Sequence, residues 1–342
     1  MLNRFVRERI VIGDYGSDDD KHIVLCGDER YIKFCGITLT TIVLSNMGDC
    51  FTFHIFCDDI NEIDFIKLKN TSSKFRINII VYKLNINLIT TLGRSLNTDM
   101  NSISVATFFR LISFEVLNEY ASKALYLDSD MMVIGEIGCL WNFDMGDSYA
   151  IVVDYPTNEE HKRRVGVERY FNAGMVFCNI QKWNQDGLTD YCLDYIYKEK
   201  PEWMDQDALN RAFKDNCIYL DKKWNFLADL ETVIDYEKKP SKSNFLVGRN
   251  DLLIIHFVGR NKPWCHWVQC IPIVKRYMNL VEKSFWYDLK VQQVEDINDY
   301  KYRYKHTRME LVMAWKENEY YDCVYYACKY ISNKIKYYIN KL

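Results

Sequence analysis

The chain has 342 residues, of which 49% are hydrophobic and 27% charged, so its composition is that of a globular protein and not of a disordered or collagen-like one. A formal net charge of -3 argues against a nucleic-acid binder. None of the twelve cysteines forms a Cys-x-x-Cys pair, so we expect reduced thiols in a cytosolic protein and no zinc site.

The first half of the chain alternates short apolar runs with segments of helical spacing. The predicted strands are residues 23–26, 51–57, 77–82 and 124–127, and the predicted helices are 36–44, 60–74 and 105–117. This alternation predicts an α/β domain with a mainly parallel sheet. Ligands of such sheets bind at the carboxyl ends of the strands, which is where Asp28, Asp58 and Asp128 fall.

The second half is less regular. We predict a strand at 174–180, a helix at 205–213, a polar surface loop at 237–244 and a buried strand at 252–256. Beyond Pro272 the chain becomes rich in tyrosine, lysine and tryptophan. The predicted organisation is therefore an N-terminal extension (1–20), a main domain (21–271) and a basic, aromatic, helical C-terminal extension (272–342).

The most informative motif is Asp128-Ser129-Asp130, which directly follows the apolar run at 124–127. An Asp-x-Asp leaving a buried strand points two oxygen donors in similar directions, as Mg²⁺ or Mn²⁺ requires. The alternative is a pair of solvated turn carboxylates. His256 ends another apolar strand and is a candidate third ligand, and an imidazole beside two carboxylates favours Mn²⁺ over Mg²⁺.

Two of the residues that follow His256 in the chain are candidates for binding a diphosphate. Gly259 allows close approach of the backbone to a phosphate, and Lys262 supplies a positive charge. Arg110 lies on an otherwise apolar helix face, so its charge needs a partner. That partner is either the diphosphate or sugar of a bound donor, or a carboxylate of the protein in a structural salt bridge.

Two further segments suggest a sugar site. Asn172, within 170–174, is a candidate to hydrogen-bond sugar hydroxyls, or belongs to a turn before a strand. Asp205, at the start of a predicted helix, either caps that helix or places a carboxylate beside a reacting carbon.

These motifs, in this order, resemble those of the retaining glycosyltransferases of family 8, over about residues 22–342. The segments that carry the resemblance are 23–31, 109–111, 125–130, 170–174, 205–207 and 256–264. Residues 302–306 and 323–330 resemble the subgroup that builds the lipopolysaccharide core. The resemblance implies an α/β fold of the GT-A type, with a Rossmann-like nucleotide-sugar-binding domain, a mixed, mainly parallel sheet and a helical C-terminal extension.

The resemblance also implies ligands and residue roles. It implies UDP-glucose or UDP-galactose as donor and Mn²⁺ as cofactor, with Mg²⁺ as a substitute. The implied metal ligands are Asp128, Asp130 and His256; the implied UDP-sugar contacts are Cys26, Asp28, Tyr31, Arg110, Gly259 and Lys262; and the implied catalytic residues are Asp205, Asn172 and Gln206. The family often has asparagine at the position of Arg30, where this chain departs from it.

The expected reaction is transfer of glucose or galactose, with retained configuration, to the lipopolysaccharide core oligosaccharide. A covalent intermediate on Asp205 and attack by the acceptor from the leaving-group side are both open. The alternatives are a related enzyme acting on another glycan, such as a capsule or glycoprotein, and a non-catalytic UDP-sugar-binding protein. A glycoside hydrolase also uses carboxylates, but it needs no diphosphate-binding residues, so the candidates Gly259 and Lys262 argue against one.

The end of the chain suggests a membrane contact. Residues 323–342 contain four lysines and no acidic residue. One helical stripe is apolar and comprises Val324, Cys328, Ile331, Ile335, Ile339 and Leu342. A basic amphipathic helix of this kind suits an anionic lipid surface, although it could instead pack on the main domain. We therefore expect a cytoplasmic protein that is peripheral at the inner face of the cytoplasmic membrane, with no nucleic-acid partner.

Overall fold

The structure, a computed structural model, describes residues 3–15, 20–86, 108–230, 251–269, 271–292, 297–316 and 318–341. The predicted loop at 237–244, the start of the predicted helix at 105–117, and Leu342 lie outside the described residues. The chain divides into two compact units. The first comprises Met1–Phe226, Leu252–His256 and Ser284–Trp286, and the second Leu227–Asp251, Phe257–Lys283 and Tyr287–Leu342.

The first unit is built on an eight-stranded sheet of order β1-β4-β3-β2-β5-β8-β7-β9. Its strands are β1 (Val6–Ile12), β2 (Lys21–Cys26), β3 (Phe51–Cys57), β4 (Asn78–Leu84), β5 (Lys123–Leu127), β7 (Ala150–Val153), β8 (Met175–Asn179) and β9 (Cys217–Leu220). Four neighbouring pairs are parallel and three antiparallel, so the predicted mixed, mainly parallel sheet is confirmed. Residues of β2 and β3 are buried on both faces of the sheet, and apart from Thr52 and His54 of β3 the buried side chains are apolar, as expected of strands covered on both sides.

A second, three-stranded sheet of order β10-β11-β6 contains β6 (Met131–Val133), β10 (Phe226–Leu227) and β11 (Ile254–His256). Strands β6 and β11 are antiparallel, with His256 opposite Met131. The chain from β5 passes through residues 128–130 directly into β6. Pairing with β11 therefore brings His256 beside the acidic turn that follows β5.

The helices of the first unit pack on the main sheet or on one another. They are α1 (Ile32–Ser45), α2 (Glu62–Phe75), α3 (Phe109–Val116), α4 (Glu159–Val165), α5 (Ile180–Gln185), α6 (Leu188–Glu199) and α7 (Met204–Phe213). Helix α1 is buried along most of its length, and Gly36 lies where the Trp286 ring passes. A Cβ on Gly36 would come within 2.1 Å of that ring, so only glycine fits there.

The predicted organisation into residues 1–20, 21–271 and 272–342 stays a prediction, and two of its segments have the following structure. Residues Val6–Ile12, within the predicted N-terminal extension, form the edge strand β1 antiparallel to β4. Residues 257–271, predicted as part of the main domain, group with the C-terminal helices in the second unit. The predicted boundary at residue 272 remains a prediction about functional organisation.

The second unit contains α8 (Pro272–Val281), α9 (Ile297–Lys316) and α10 (Tyr320–Ile339). Helices α9 and α10 pack against each other, and Asn333 of α10 donates from Nδ2 to Thr307 Oγ1 of α9 at 2.9 Å. Both of these side chains are buried. Among the described residues, no helix is long and apolar enough to cross a bilayer.

Candidate active site

Three predicted metal ligands lie together at the carboxyl end of β5. One ligand atom each from Asp128, Asp130 and His256 can be chosen so that all three lie within 4.8 Å of one another. His256 Nε2 is 3.6 Å from Asp128 Oδ2 and 3.2 Å from Asp130 Oδ1. Two carboxylates and one imidazole at this separation form a donor set that suits Mn²⁺, and less closely Mg²⁺. The residues present therefore fit a divalent cation.

Gly174 makes room for the imidazole of this triad. A Cβ at position 174 would lie 2.3 Å from His256 Cε1 and 2.6 Å from its Nδ1. The carbonyl of Gly174 also accepts a hydrogen bond from the Asp128 amide at 2.9 Å. Any larger residue would displace either the ring or the strand that carries Asp128. Gly174 thus has a steric role in the triad that the sequence did not reveal.

Arg110 lies against the triad from α3 and joins two carboxylates. Its Nη2 is 3.0 Å from Asp128 Oδ1, and its Nε is 2.6 Å from Asp205 Oδ2. Its Nη1 donates to the carbonyl of Ala173 at 2.7 Å, and the guanidinium lies 4.6 Å from the centre of the Tyr126 ring. These contacts are those of the structural alternative for Arg110. Its predicted contact with the donor remains a prediction.

Burial and charge shift the proton affinities around Arg110. Burial raises the pKa of Asp205 to about 6, although the neighbouring Arg110 opposes that shift. Burial alone would lower the pKa of Arg110, but Asp128 and Asp205 raise it overall, so the guanidinium stays charged. Burial also raises the pKa of the Cys26 thiol, which therefore stays neutral at physiological pH.

Asp205 does not cap α7, which was the alternative to a functional role. The helix begins at Met204, and the Asp205 carboxylate is directed to Arg110. Asp207, which belongs to the 205–207 motif but was assigned no role of its own, accepts from the Trp203 amide at 3.1 Å and so satisfies a donor at the start of the helix. Asp205 is thereby left as a buried carboxylate within the arginine cluster.

Asn172 and Gln206 are held together by a set of hydrogen bonds. Gln206 Oε1 accepts from Asn172 Nδ2 and from the Ala173 amide, both at 3.0 Å. Asn172 Oδ1 accepts from the Gly174 amide and from Asn225 Nδ2, again both at 3.0 Å. A carboxamide oxygen has two lone pairs, so both oxygens are fully used. What each amide can offer a ligand is an N–H donor.

The predicted uridine contacts lie at the same edge of the sheet. Cys26 ends β2, which runs parallel to β5 with Leu25 opposite Leu127. Asp28 accepts from the amide and the guanidinium of Arg30, at 3.0 and 2.8 Å. Tyr31 precedes α1 and is partly exposed. These three positions stay predictions as uridine contacts.

Two predicted diphosphate contacts belong to the second unit. Gly259 has a φ of +78°, a conformation that favours glycine. Lys262 Nζ donates to the carbonyl of Phe257 at 2.6 Å. Their predicted role at the diphosphate is untested by these contacts.

Known proteins resemble this chain over most of its length. The family model for Glycosyl transferase family 8 matches residues 22–268. A lipopolysaccharide 1,2-glucosyltransferase of Escherichia coli (strain K12) is 29% identical over 291 residues, which cover 82% of each chain. A lipopolysaccharide 1,3-galactosyltransferase of Salmonella typhimurium (strain LT2) is 24% identical over 334 residues, which cover 93% of each chain.

One solved structure has a similar fold. It is the galactosyltransferase LgtC in complex with donor and acceptor sugar analogues, which matches this chain with a TM-score of 0.64 and 22% sequence identity. The match covers 77% of this chain and 96% of that one. At this identity the likeness shows the fold alone, which is the predicted α/β fold of the GT-A type.

Proposed function

The chain belongs to glycosyl transferase family 8 and is a glycosyltransferase, and on that basis we propose that it transfers glucose or galactose from a UDP-sugar to the lipopolysaccharide core oligosaccharide. We further propose that the reaction requires Mn²⁺ and retains the configuration of the sugar. The observation that supports this most directly is the convergence of Asp128, Asp130 and His256 beside the Arg110–Asp205 pair.

Asp128, Asp130 and His256 would hold Mn²⁺, with Mg²⁺ as a substitute. A bound divalent cation supplies Lewis-acid stabilisation of the negative charge that develops on a departing diphosphate. Lys262 would add a positive charge to the same diphosphate, with Gly259 allowing the backbone to approach.

The remaining residues would bind and orient the donor. Asn172 and Gln206 each present an N–H, which suits the oxygens of sugar hydroxyls. Arg110 keeps Asp205 ionised against the effect of burial, so a carboxylate is held in the catalytic region. Cys26, Asp28 and Tyr31 would lie along the uridine. A covalent intermediate on Asp205 and attack from the leaving-group side, in which the leaving phosphate takes the proton, are both compatible with this arrangement.

The acceptor is proposed from the relatives. Two of them are named for glucosyl and galactosyl transfer to lipopolysaccharide, and the matches span most of both chains. A membrane-anchored acceptor also agrees with the exposed face of α10, where Val324, Ile331, Ile335 and Ile339 lie on the surface. We therefore propose that the enzyme is cytoplasmic and peripheral at the inner face of the cytoplasmic membrane.

The test is release of UDP by the purified protein with Mn²⁺ and each of several UDP-sugars, with and without truncated lipopolysaccharide core. We expect UDP release with UDP-glucose or UDP-galactose that increases when the core is added. Turnover that only another glycan stimulates would overturn the acceptor assignment. UDP binding that is sensitive to EDTA but accompanied by no turnover would favour a non-catalytic binding protein.

A further inference from the structure

Asn225 is a buried polar residue that contacts the proposed metal site. It lies between Trp224 and Phe226, and its side chain is 2% exposed. Its carboxamide bridges two predicted site residues: Oδ1 is 3.2 Å from His256 Nδ1, and Nδ2 is 3.0 Å from Asn172 Oδ1. A buried amide that makes both contacts has a defined orientation. That orientation determines which ring nitrogen of His256 carries the hydrogen.

The orientation of Asn225 follows from two backbone amides. A backbone N–H can only donate, so the side-chain atom facing it must be an oxygen. The Gly174 amide thus identifies Oδ1 of Asn172, and the Ala173 amide identifies Oε1 of Gln206. Because Asn172 presents an oxygen to Asn225, Asn225 must present its NH₂ in return. Its own oxygen therefore faces His256.

The other end of the same chain of hydrogen bonds agrees with this direction. Gln206 Nε2 donates to the Tyr170 hydroxyl at 3.1 Å, and that hydroxyl donates to Asp207 Oδ1 at 2.5 Å. Asp207 is fully buried and also lies 3.0 Å from His161 Nε2. A carboxylate only accepts, so the direction of donation from Asn225 through Asn172, Gln206 and Tyr170 is consistent at both ends.

We propose that Asn225 is a positioning residue that holds His256 in the tautomer with hydrogen on Nδ1, so that the Nε2 lone pair faces the divalent cation. The Asn225 oxygen can only accept, so it requires a hydrogen on Nδ1. Nε2 is the ring atom directed at Asp128 and Asp130. A partner on the second nitrogen of a ligating histidine fixes the ring and raises its basicity. The inference rests on the proposed function, because it assumes a metal at this triad.

The first test compares the Mn²⁺ affinity of three variants by titration calorimetry. Asn225→Ala removes the acceptor, and we expect Mn²⁺ to bind roughly 10- to 100-fold more weakly. Asn225→Asp keeps an acceptor for Nδ1 but loses the hydrogen bond to Asn172, so we expect Mn²⁺ binding to weaken less than in Asn225→Ala. The control is Asn46→Ala, which removes another buried amide of the same unit that bonds to Ile137 and Gly135, and it should leave Mn²⁺ affinity unchanged.

The second test reads the tautomer directly, with the charges of Asp128 and Asp130 compensated by a cation. The ring nitrogens of ¹⁵N-labelled histidine are observed by NMR in protein saturated with Mg²⁺, which is diamagnetic, at a pH high enough for a neutral imidazole. A His256→Gln variant assigns the signals. We expect hydrogen on Nδ1 in the wild type and in Asn225→Asp, with a shift towards hydrogen on Nε2 in Asn225→Ala.

The two readouts separate the failure of this inference from the failure of the proposed function. Hydrogen on Nε2 in the wild type, or equal Mn²⁺ affinities for Asn225→Ala and Asn46→Ala, would overturn the role of Asn225. A wild-type protein that binds no Mn²⁺ would overturn the metal assignment instead. Thermal unfolding of each variant identifies any loss of affinity that is caused by unfolding.

Discussion

At the scale of single residues, the candidate site is a set of charges that stabilise one another. Arg110 joins a predicted metal ligand, Asp128, to a predicted catalytic carboxylate, Asp205. Tyr126 adds a hydrogen bond to the same oxygen of Asp128, at 2.6 Å. Buried charges of this kind are tolerated because each has a partner of opposite charge. Removing one member leaves the remaining charges buried without that partner, which destabilises the folded protein.

Replacement of a metal ligand should abolish the reaction. We expect Asp128→Ala and Asp130→Ala each to lower Mn²⁺-dependent UDP release by roughly 100-fold or more, because a cation at the leaving group stabilises the transition state by several kcal/mol. Steady-state rates with increasing Mn²⁺ make the measurement. The control is Asp147→Ala, since the Asp147 side chain is 91% exposed and pairs with Lys182. Wild-type rates in either ligand variant would contradict the metal assignment.

Asp205 should determine the acidic side of the pH profile. Its pKa of about 6 means that it becomes protonated as the pH falls below that value. If the carboxylate is the active form, kcat/KM should fall about tenfold per pH unit below pH 6 and should level off above it. The measurement uses saturating Mn²⁺ so that loss of metal does not contribute. An Asp205→Asn variant should be slow at every pH, and an unchanged acidic limb in that variant would assign the limb to another group.

At the scale of elements, α10 exposes an apolar stripe on a basic helix. Four aliphatic side chains of the predicted stripe are more than half exposed: Val324 at 66%, Ile331 at 56%, Ile335 at 53% and Ile339 at 64%. Lysines at 329, 334, 336 and 341 accompany them. Because water-exposed aliphatic side chains gain free energy on entering the lipid interface, this face suits an anionic membrane.

Polar replacements on that face should weaken lipid binding. We expect the double variant Ile331→Ser/Ile335→Ser to bind vesicles containing phosphatidylglycerol at least about tenfold more weakly, and to retain UDP release with soluble acceptor. Vesicle sedimentation makes the measurement. Ile63→Ser is the matched control, because Ile63 lies on α2 and is 67% exposed. If the double variant sediments like the wild type, the stripe does not contact lipid.

Deletion of residues 323–342 tests the same surface more coarsely. It removes most of α10, including Asn333, whose buried amide bonds to Thr307 of α9. Weaker vesicle binding after this deletion is therefore informative only if donor hydrolysis and thermal stability stay near those of the full chain. The point variants avoid this complication because their side chains are exposed.

The elements that the sequence predicted well are those that carry a strong local pattern. The apolar runs of β2, β3 and β5 were found because both faces of these strands are buried, and the turn at residues 128–130 was visible directly after one of them. Strand β1 was missed because Arg7, Glu8 and Arg9 give it a polar interior. An edge strand can carry such residues, since part of it faces solvent.

Contacts between distant parts of the chain could not be predicted in this way. Asn225 has no local signal, because its partners Asn172 and His256 are reached only after the strands have paired. The same holds for the steric role of Gly174 and for the bonds of Asp207. The three ligands were proposed from their chemical types and the resemblance, whereas their proximity results from the β6–β11 pairing.

At the scale of the whole molecule, the first unit contains the main sheet, the triad and the residues hydrogen-bonded around it. The triad, Arg110, Asp205, Asn172 and Gln206 all belong to it. The second unit contains Gly259, Lys262 and the two long C-terminal helices. The proposed lipid contact therefore lies in the same unit as Lys262 and in a different unit from the triad. We expect variants limited to exposed side chains of α10 to change lipid binding without changing turnover.

The late position of β11 in the sequence has a consequence for biosynthesis. The last strand of the eight-stranded sheet in chain order is Cys217–Leu220. The proposed third metal ligand, His256, follows later in the chain, at the end of Ile254–His256. A chain leaving the ribosome emerges from its N-terminus first, and its N-terminal regions generally fold before the C-terminal ones. The nascent polypeptide can therefore assemble its sheet before the proposed set of manganese ligands is complete.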